Sequence, residues 1–250
     1  MSSFAEEDLS RDAFLGGKLY ILQPRNGYRA GVDPVLLAAT VEAQAGQSVL
    51  ELGCGAGAAS LCLGARIPGL SLTGVEKEPA YAELAACNGR GSLEVVTADI
   101  SDMPLSLRQR QFDHVLANPP FFDRAAGIAS DNPAKEAAFG EDTPLRDWVR
   151  VAAKRLAPKG LAHFVHRAER LPDLLRAMPH DLGSIEVLPL APRTSRDVER
   201  VIIRARKGGR GAFRLATTLV MHEGAQHDQD GDSFVPAIRA VLRHGEALKF

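Results

Sequence analysis

The sequence predicts a wound, mainly parallel α/β sheet with helices on both of its faces. From residue 48 onward, short β-branched or apolar segments alternate with segments of helical length. Several of the short segments are nearly apolar on both of their faces, which is typical of strands that are covered on both sides. The longer segments carry apolar residues at helical spacing, as the crossover helices of a parallel sheet do.

Seven segments have the length and composition of strands. They are residues 48–52, 71–76, 93–97, 114–117, 161–166, 185–190 and 200–205. The predicted helices between them are residues 58–66, 79–88, 145–156 and 168–178. The last two strands are expected to form an antiparallel pair, because the residues between them, 191–199, are too few for a crossover helix.

A different piece precedes this sheet. Residues 13–23, with Gly16-Gly17 between apolar flanks, predict a short hairpin. A helix follows, which Asp33 is expected to cap and which has Pro34 at its first position. We therefore divide the chain into an extension, residues 1–44, that packs on a ligand site, and a main domain, residues 45–250. Within the main domain, the acidic segment 223–232 is expected to be a loop.

The composition is that of an ordinary globular protein. The 250 residues are 45% hydrophobic and 24% charged, which excludes disordered, collagen-like and fibrous classes. The longest apolar run, residues 35–41, falls far short of the ~18 residues that a membrane span needs. The first residues are acidic where a secretory signal would be basic, so the expected location is the cytoplasm. The three cysteines show no C-x-x-C spacing, so neither a metal site nor a disulfide is expected.

Charge is balanced over the chain and concentrated in one segment. The formal net charge is −1, which gives no general attraction to a polyanion. Residues 193–214 nevertheless hold eight basic and two acidic residues, a local charge of +6. A charge run alone is more often a solvated face than a binding site, so both interpretations stay open here.

A glycine-rich loop ends the first strand of the predicted sheet and opens the next helix. Gly53, Gly55 and Gly57 fall where the backbone approaches a ligand too closely for a side chain. The spacing Gly53-x-Gly55-x-x-Ala58 predicts a nucleotide site and does not by itself distinguish NAD from S-adenosylmethionine. Glu51 favours the second, because its charge would repel a pyrophosphate and could hold the ammonium group of a methionine moiety.

Two acids follow the next strands. Glu76 stands 19 residues after Gly57, where a carboxylate can accept both hydroxyls of a ribose. The alternative is an exposed acid that caps the helix at Pro79. Asp99 follows the third strand and could accept the amino group of an adenine, or be an ordinary loop acid, with Asp102 as a competing candidate.

The segment Asn118-Pro119-Pro120-Phe121 follows the fourth strand, at the edge where open α/β sheets bind ligands. The prolines fix the backbone and leave two acceptors, the Asn118 side-chain oxygen and the Pro119 carbonyl. Two acceptors suit a planar amino group, since they draw its hydrogens out of plane and leave the nitrogen lone pair available for attack. Phe121 offers a face on which the ring can stack.

These motifs, in this order and spacing, resemble the class I S-adenosylmethionine-dependent methyltransferases, and specifically the branch that methylates amino groups. The resemblance covers about residues 45–205 and is carried by residues 49–57, Glu76, Asp99 and residues 118–121. The N-terminal pattern from Gln23 to Ala38, and residues 118–122, are similar to the bacterial tRNA1(Val) adenine-37 N6-methyltransferase family. The resemblance implies a Rossmann-like seven-stranded sheet, mostly parallel with an antiparallel terminal strand.

The resemblance also implies the site. The expected cofactor is S-adenosylmethionine, held by Tyr28, Arg29, Asp33, Glu51, Gly53, Gly55, Gly57, Glu76, Lys77, Asp99, Ile100 and Asn118. The expected catalytic residues are Asn118, Pro119, Pro120 and Phe121, and the expected substrate contacts are Phe121, Phe122, Arg193 and Arg196. No metal is required.

The expected reaction is methyl transfer to an exocyclic amino group, with adenine N6 in tRNA as the acceptor and RNA as the partner. The motif is suited to a planar amino group and does not identify the molecule that carries it. A guanine-N2 rRNA methyltransferase, a protein glutamine N5-methyltransferase and a small-molecule N-methyltransferase therefore stay open. Outside this class, the alternatives are an NAD-linked oxidoreductase and a cofactor-binding protein without catalysis.

For RNA, the loop after the sixth strand is expected to flank the site, because a parallel strand delivers its following loop to the carboxyl edge. That loop carries Arg193 and Arg196. Lys207 and Arg210 follow the seventh, antiparallel strand and are expected at the opposite end of the pair.

Overall fold

The computed structural model describes residues 4–123, 140–141, 143–224 and 233–250. The strands are β1 (Leu9–Phe14), β2 (Leu19–Pro24), β3 (Ser48–Leu52), β4 (Ser71–Glu76), β5 (Leu93–Thr97), β6 (Phe112–Ala117), β7 (Phe122–Asp123), β8 (Gly140–Glu141), β9 (Leu156–Arg167), β10 (Leu182–Ala191), β11 (Arg200–Lys207), β12 (Arg214–Leu215) and β13 (Leu219–Val220). The α-helices are α1 (Asp33–Ala39), α2 (Ala58–Arg66), α3 (Pro79–Gly89), α4 (Leu105–Arg108), α5 (Leu145–Arg155), α6 (Leu171–Ala177) and α7 (Pro236–Arg239). None of the helices in these ranges has the length and hydrophobicity to span a membrane. Most of the acidic segment predicted to be a loop, residues 225–232, lies outside the described residues.

The central sheet confirms the predicted wound, mainly parallel architecture. Its order is β12-β10-β11-β9-β6-β3-β4-β5, with β13 also paired to β10. Strands β3, β4, β5, β6 and β9 are parallel. Strand β11 is antiparallel to both of its neighbours, β9 and β10, so the predicted antiparallel pair is confirmed.

The sheet differs from the expectation in strand number. The seven predicted strands are present, and β12 and β13 add two residues each along the outer side of β10, which makes nine. A two-residue strand has no periodicity for a sequence pattern to reveal. The antiparallel strand is the last long one in the chain, but it lies inside the sheet between β9 and β10.

Helices cover both faces of the sheet. Val49 and Leu50 are adjacent in β3 and both are fully buried. Because successive side chains of a strand point to opposite faces, each contributes to a different apolar cluster. Val49 packs with residues of α1, α2 and α3, and Leu50 packs with residues of α5. This double coverage explains why apolar residues occupy both faces of the strand.

The N-terminal extension is a hairpin followed by a helix, as predicted. Strands β1 and β2 pair antiparallel and begin four residues before the predicted hairpin. The predicted cap of α1 is wrong: Val32 occupies the cap position, and Asp33 is the first helical residue, followed by Pro34. The Asp33 carboxylate instead pairs with Arg200, 3.2 Å away. Residues of α1 and α2 belong to the same apolar cluster, and the division at residue 44 stays a prediction.

Candidate active site

A cavity of about 790 Å³ opens at the carboxyl ends of the parallel strands. That volume is within the usual range for ligand sites. The predicted site residues in its wall are Tyr28, Arg29, Asp33, Glu51, Gly53, Gly55, Glu76, Lys77, Asp99, Ile100, Asn118, Pro119, Pro120 and Phe121. Gly57, Arg193 and Arg196 are outside the wall formed by the described residues, and the Phe122 side chain is not among the described parts of the chain.

The glycine loop between β3 and α2 has a left-handed backbone at all three predicted glycines. Their φ angles are +65° at Gly53, +54° at Gly55 and +89° at Gly57. A side chain at Gly53 would also lie 2.6 Å from the ring of Trp148, and one at Gly55 would lie 3.4 Å from the ring of Tyr28. The backbone conformation therefore favours glycine at all three positions, and at Gly53 the ring of Trp148 also leaves no room for a side chain.

Glu76, at the end of β4, is tied to the glycine loop. Its two carboxylate oxygens accept hydrogen bonds from the backbone N–H groups of Gly55, at 2.8 Å, and Glu78, at 2.9 Å. The alternative of an exposed helix cap is wrong, because Glu76 is 8% exposed and α3 has no side-chain cap. Burial raises the pKa of this carboxyl, and the two N–H donors oppose that rise. A carboxylate has about four acceptor sites, so capacity remains for a ligand hydroxyl.

Glu51 is a buried carboxylate in the cavity wall. It is 2% exposed, and Ser60 donates to its Oε2 atom from the backbone N–H, at 2.9 Å, and from the hydroxyl, at 2.5 Å. Burial raises the pKa of Glu51 to about 7. No cation pairs with it among the residues that the structure describes. A cationic ligand group in the cavity would offset the unfavourable burial of this charge.

Asp99, after β5, is a loop acid as one interpretation predicted, and its contact with an adenine stays a prediction. It lies in the cavity wall, and its Oδ1 atom accepts from the backbone N–H of Ser101 at 2.8 Å and from the Ser101 hydroxyl at 2.6 Å. These bonds fix the turn that begins at Ile100, which is buried and also lines the cavity. Asp102, the competing candidate, is not part of the described cavity wall.

Asn118, directly after β6, presents an unused acceptor. Its Nδ2 group donates to the Tyr28 hydroxyl at 3.4 Å. Its Oδ1 atom is buried and has no hydrogen-bond partner within the described part of the chain. An unpaired buried acceptor costs about 1–3 kcal/mol, and a ligand N–H group would remove this penalty. Tyr28 is held in turn by Tyr81, whose hydroxyl accepts from the Tyr28 N–H at 2.8 Å and donates to the Tyr28 carbonyl at 3.1 Å.

Phe121 is held by two residues from neighbouring strands. The Arg200 guanidinium lies 5.0 Å from the centre of its ring, and the His166 ring meets it edge-on at 5.3 Å. Arg200 is oriented by its ion pair with Asp33. Asp33, which the resemblance placed beside the cofactor, therefore also supports the aromatic wall of the cavity.

Sequence reasoning missed several residues of the cavity wall. They are Tyr81, Thr143, Trp148, Arg167, Glu169, Val198, Glu199 and Arg200. Arg200 stood within the noted basic run, but its position follows from strand pairing: it lies opposite Arg167 in the register of β11 and β9. No local pattern marks the other residues, because they reach the site from separate elements.

The basic side chains predicted to contact ligands have different surroundings. Arg29 lines the cavity and pairs with Asp12 at 2.6 Å. Arg193 donates to the backbone carbonyl of Glu223. Arg196 is exposed. The loop that carries Arg193 and Arg196 lies at the carboxyl edge, as predicted, since its last residues line the cavity.

The described residues contain no group of three or more histidine, cysteine, aspartate or glutamate side chains that could hold a metal ion. The donor set of the cavity is of another kind. It offers buried carboxylates, an amide oxygen and aromatic rings, which suit hydroxyl, ammonium and planar amino groups.

Comparison with known proteins agrees with this geometry. Residues 30–188 match the family model of the methyltransferase small domain. A tRNA1(Val) (adenine(37)-N6)-methyltransferase of Actinobacillus succinogenes is 32% identical over 166 residues, which are 64% of this chain and 69% of the relative. Its namesake from Porphyromonas gingivalis is 29% identical over 84% of this chain and 88% of the relative.

Solved structures share the fold. A predicted O-methyltransferase from Agrobacterium tumefaciens superposes with a TM-score of 0.71 at 24% identity, covering 87% of this chain and 99% of the other. A 16S rRNA methyltransferase of Thermus thermophilus, solved in complex with AdoMet and guanosine, has a TM-score of 0.56 at 21% identity. That match covers 80% of this chain and 50% of the other. The resemblance stated from the sequence is thus confirmed: the chain belongs to the methyltransferase small-domain family, and it is an S-adenosylmethionine-dependent methyltransferase.

Proposed function

We propose that this methyltransferase transfers its methyl group to an exocyclic amino nitrogen of an RNA base, adenine N6 of a tRNA. The observation that carries the proposal is the buried Oδ1 atom of Asn118, which has no partner among the described residues and lies in the cavity wall with Phe121. A planar amine that stacks on Phe121 could donate to this oxygen. The cytoplasm is the proposed place of action.

Each acid of the cavity is assigned to a different part of the cofactor. We assign the ribose hydroxyls to Glu76, the methionine ammonium to Glu51 and the adenine to Asp99 and Ile100. Each assignment uses a carboxylate or apolar side chain that lines the cavity and retains acceptor capacity or contact surface. S-adenosylmethionine supplies an activated methyl group on a sulfonium, which leaves as a neutral thioether.

The protein's part in the chemical step is to prepare the nucleophile. Asn118 Oδ1 and the Pro119 carbonyl accept the two N–H bonds of the amine and turn its lone pair out of the ring system. With S-adenosylmethionine bound, these two acceptors would hold the amine for transfer of the methyl carbon from sulfur to nitrogen, and the proton lost by the methylated amine would pass to solvent when the product leaves. Positioning and exclusion of water by the aromatic wall provide the remaining rate enhancement.

The names of the relatives favour adenine in tRNA as the substrate. The chemistry of the site also fits the N2 amino group of guanine, the side-chain amide of a protein glutamine or a small amine as the methyl acceptor. An NAD-linked oxidoreductase is set aside, because the chain belongs to a methyltransferase family.

Mass spectrometry of nucleosides from tRNA and rRNA, with and without this protein in the cell, tests the proposal. We expect loss of N6-methyladenosine from tRNA alone. Loss of a methylated guanosine from rRNA, or no nucleoside change, would refute it.

The assignment of Glu76 predicts a loss of cofactor affinity in Glu76→Ala. Removal of a charge-assisted hydrogen-bond partner should cost about 1.5–3 kcal/mol, or roughly 10- to 150-fold in Kd. Calorimetric titration with S-adenosylmethionine measures this. Glu76→Gln is a partial control: its amide oxygen can still accept the Gly55 N–H, while its amide nitrogen cannot accept the Glu78 N–H and the charge is gone. Wild-type affinity in Glu76→Ala would exclude the ribose contact.

The proposed RNA substrate predicts an effect of the loop at the carboxyl edge. Changing both Arg193 and Arg196 to Glu should weaken tRNA binding and reduce its dependence on salt by about one unit of slope for each lost phosphate contact. Filter binding at several salt concentrations gives both quantities, with S-adenosylmethionine affinity as the folding control. Unchanged RNA affinity and slope would remove this loop from the RNA surface.

A further inference from the structure

A second basic surface lies at the opposite edge of the sheet from the cavity. We call residues 206–215, which end β11 and lead into β12, the distal basic loop. It holds the cations Arg206, Lys207, Arg210 and Arg214, three glycines and no acidic residue. Because β11 runs antiparallel to β9, its end is at the amino edge of the parallel strands.

The distal basic loop is exposed and has a defined shape. Residues 210–215 are all exposed, and Phe213 and Leu215 are two of the few large apolar side chains in the described chain that face solvent, at 54% and 61% exposure. The backbone N–H of Gly211 donates to the Ser184 hydroxyl at 2.8 Å, and that of Gly208 donates to the Asp181 carbonyl at 2.7 Å. The loop is thus held against the start of β10.

Only part of its positive charge is neutralised by neighbouring acids. Lys207 pairs with Asp181 at 2.8 Å, and Arg214 pairs with Glu186. Arg206 and Arg210 form neither a hydrogen bond nor an ion pair through their side chains within the ranges that the structure describes. Two exposed guanidinium groups therefore flank the Gly208-Gly209 pair, and the exposed Phe213 follows three residues after Arg210.

We propose that the distal basic loop is a second RNA-binding surface, which contacts the substrate away from the reacting base. This inference rests on the proposed function. Guanidinium groups bind phosphates of the RNA backbone, glycines allow the backbone to approach closely, and an exposed aromatic ring stacks on an unpaired base. The positive charge and the exposed aromatic ring of the loop suit a polyanion that also carries ring systems. RNA is such a polyanion.

The distance between the two surfaces limits which substrates can use both. The eight residues of β11 span about 25 Å at ~3.3 Å per residue. A whole tRNA can cover that distance, whereas a short oligonucleotide bound at the cavity cannot. The loop should therefore affect affinity for whole tRNA, and leave turnover of a bound substrate unchanged.

The test compares three variants on tRNA taken from cells that lack this protein. Arg206 and Arg210 are both changed to Glu in the first, Phe213 to Ala in the second, and the exposed Arg90 and Lys249 to Glu in the third. The first and third carry the same change in net charge, so a difference between them reflects location. Binding at several salt concentrations and single-turnover methylation at saturating protein are measured for each, on whole tRNA and on a short oligonucleotide that contains the target base.

We expect the Arg206/Arg210 double variant to lose about 25- to 60-fold in tRNA affinity at ~0.1 M salt, with about 1.4–1.8 units less salt slope. Phe213→Ala should lose about 5- to 150-fold with an unchanged slope. Short-oligonucleotide methylation, saturated turnover and S-adenosylmethionine affinity should remain at wild-type values. Wild-type tRNA affinity in the Arg206/Arg210 variant, or an equal loss in the Arg90/Lys249 control, would overturn the inference.

The two proposals fail differently. If the wild-type protein methylates tRNA and the loop variants bind it normally, only the second surface is refuted. If the wild-type protein neither binds nor methylates RNA, the proposed function is refuted and the second surface with it.

Discussion

Asn118→Ala is expected to lose methyl transfer by about 10²- to 10³-fold in a single turnover while it keeps most of its S-adenosylmethionine affinity. The loss of one preorganised hydrogen-bonding group at a reacting centre usually has an effect of this size. The Oδ1 atom has no partner in the described protein, so it is available to the amine and contributes nothing to internal bonding. Rapid-quench methylation and calorimetric cofactor binding measure the two quantities separately.

Stability provides a second readout for the same variant. A residue with a structural role would lower the free energy of unfolding when it is removed. Loss of the unpaired Oδ1 removes a desolvation penalty, whereas loss of Nδ2 removes the 3.4 Å hydrogen bond to Tyr28, so we expect the two effects to offset each other and the free energy of unfolding to change little. Denaturant unfolding of wild type and Asn118→Ala without ligand distinguishes the two cases.

Tyr28→Phe is the matched control for the Asn118 variant. It removes the Tyr28 hydroxyl and with it the 3.4 Å hydrogen bond from Asn118, and it leaves the Oδ1 atom of Asn118 in place. Its loss of turnover should therefore be much smaller. An equal loss in both variants would mean that Asn118 only supports Tyr28, and undiminished methylation by Asn118→Ala would exclude the mechanism altogether.

The features that the sequence predicted well are local ones. The bounds of β3, β4, β5 and α2 match the predicted segments, because their apolar runs end at glycines or polar residues. The glycine loop and the Asn118 segment follow strands directly, so the rule that ligands bind at the carboxyl edge was enough to place them.

The features that were missed depend on contacts between distant segments. Arg200 reaches Asp33 across 167 residues of chain, and Asp33 is the first residue of α1 rather than its cap. Trp148 packs under Gly53 from a helix nearly a hundred residues later. Such contacts follow from the register of β9 and β11 and the packing of α5, and no periodicity in the sequence specifies either.

Glu51→Gln is expected to separate cofactor binding from stability. The Gln oxygen can still accept from the N–H and hydroxyl of Ser60, so the internal hydrogen bonds are retained. The variant lacks the charge that we assign to the methionine ammonium. Its S-adenosylmethionine affinity should fall by about 10- to 150-fold at pH 7.5, as for loss of a charge-assisted partner.

The pH dependence of the wild type should disappear in this variant. Burial raises the pKa of Glu51 from 4.5 to about 7 in the folded protein. Below pH 7 the carboxyl is increasingly protonated and cannot pair with a cation, so wild-type affinity should fall from pH 7.5 to pH 5.5. The ammonium group, with a pKa near 8, stays charged over this range. Glu51→Gln should bind weakly and evenly throughout.

The free energy of unfolding of ligand-free Glu51→Gln should rise, whereas its cofactor affinity should fall. A carboxyl whose pKa is raised on folding contributes stability below its unfolded pKa of 4.5, and that contribution is lost as the pH rises through 7. The shift corresponds to about 3 kcal/mol at pH 8. We therefore expect ligand-free Glu51→Gln to be more stable than wild type at pH 8, by up to that amount, and similar to it near pH 4.5. Urea unfolding at both pH values measures the difference. A variant that is less stable at pH 8 would show that the charge of Glu51 supports the fold, and its assignment to the cofactor would then lose its physical basis.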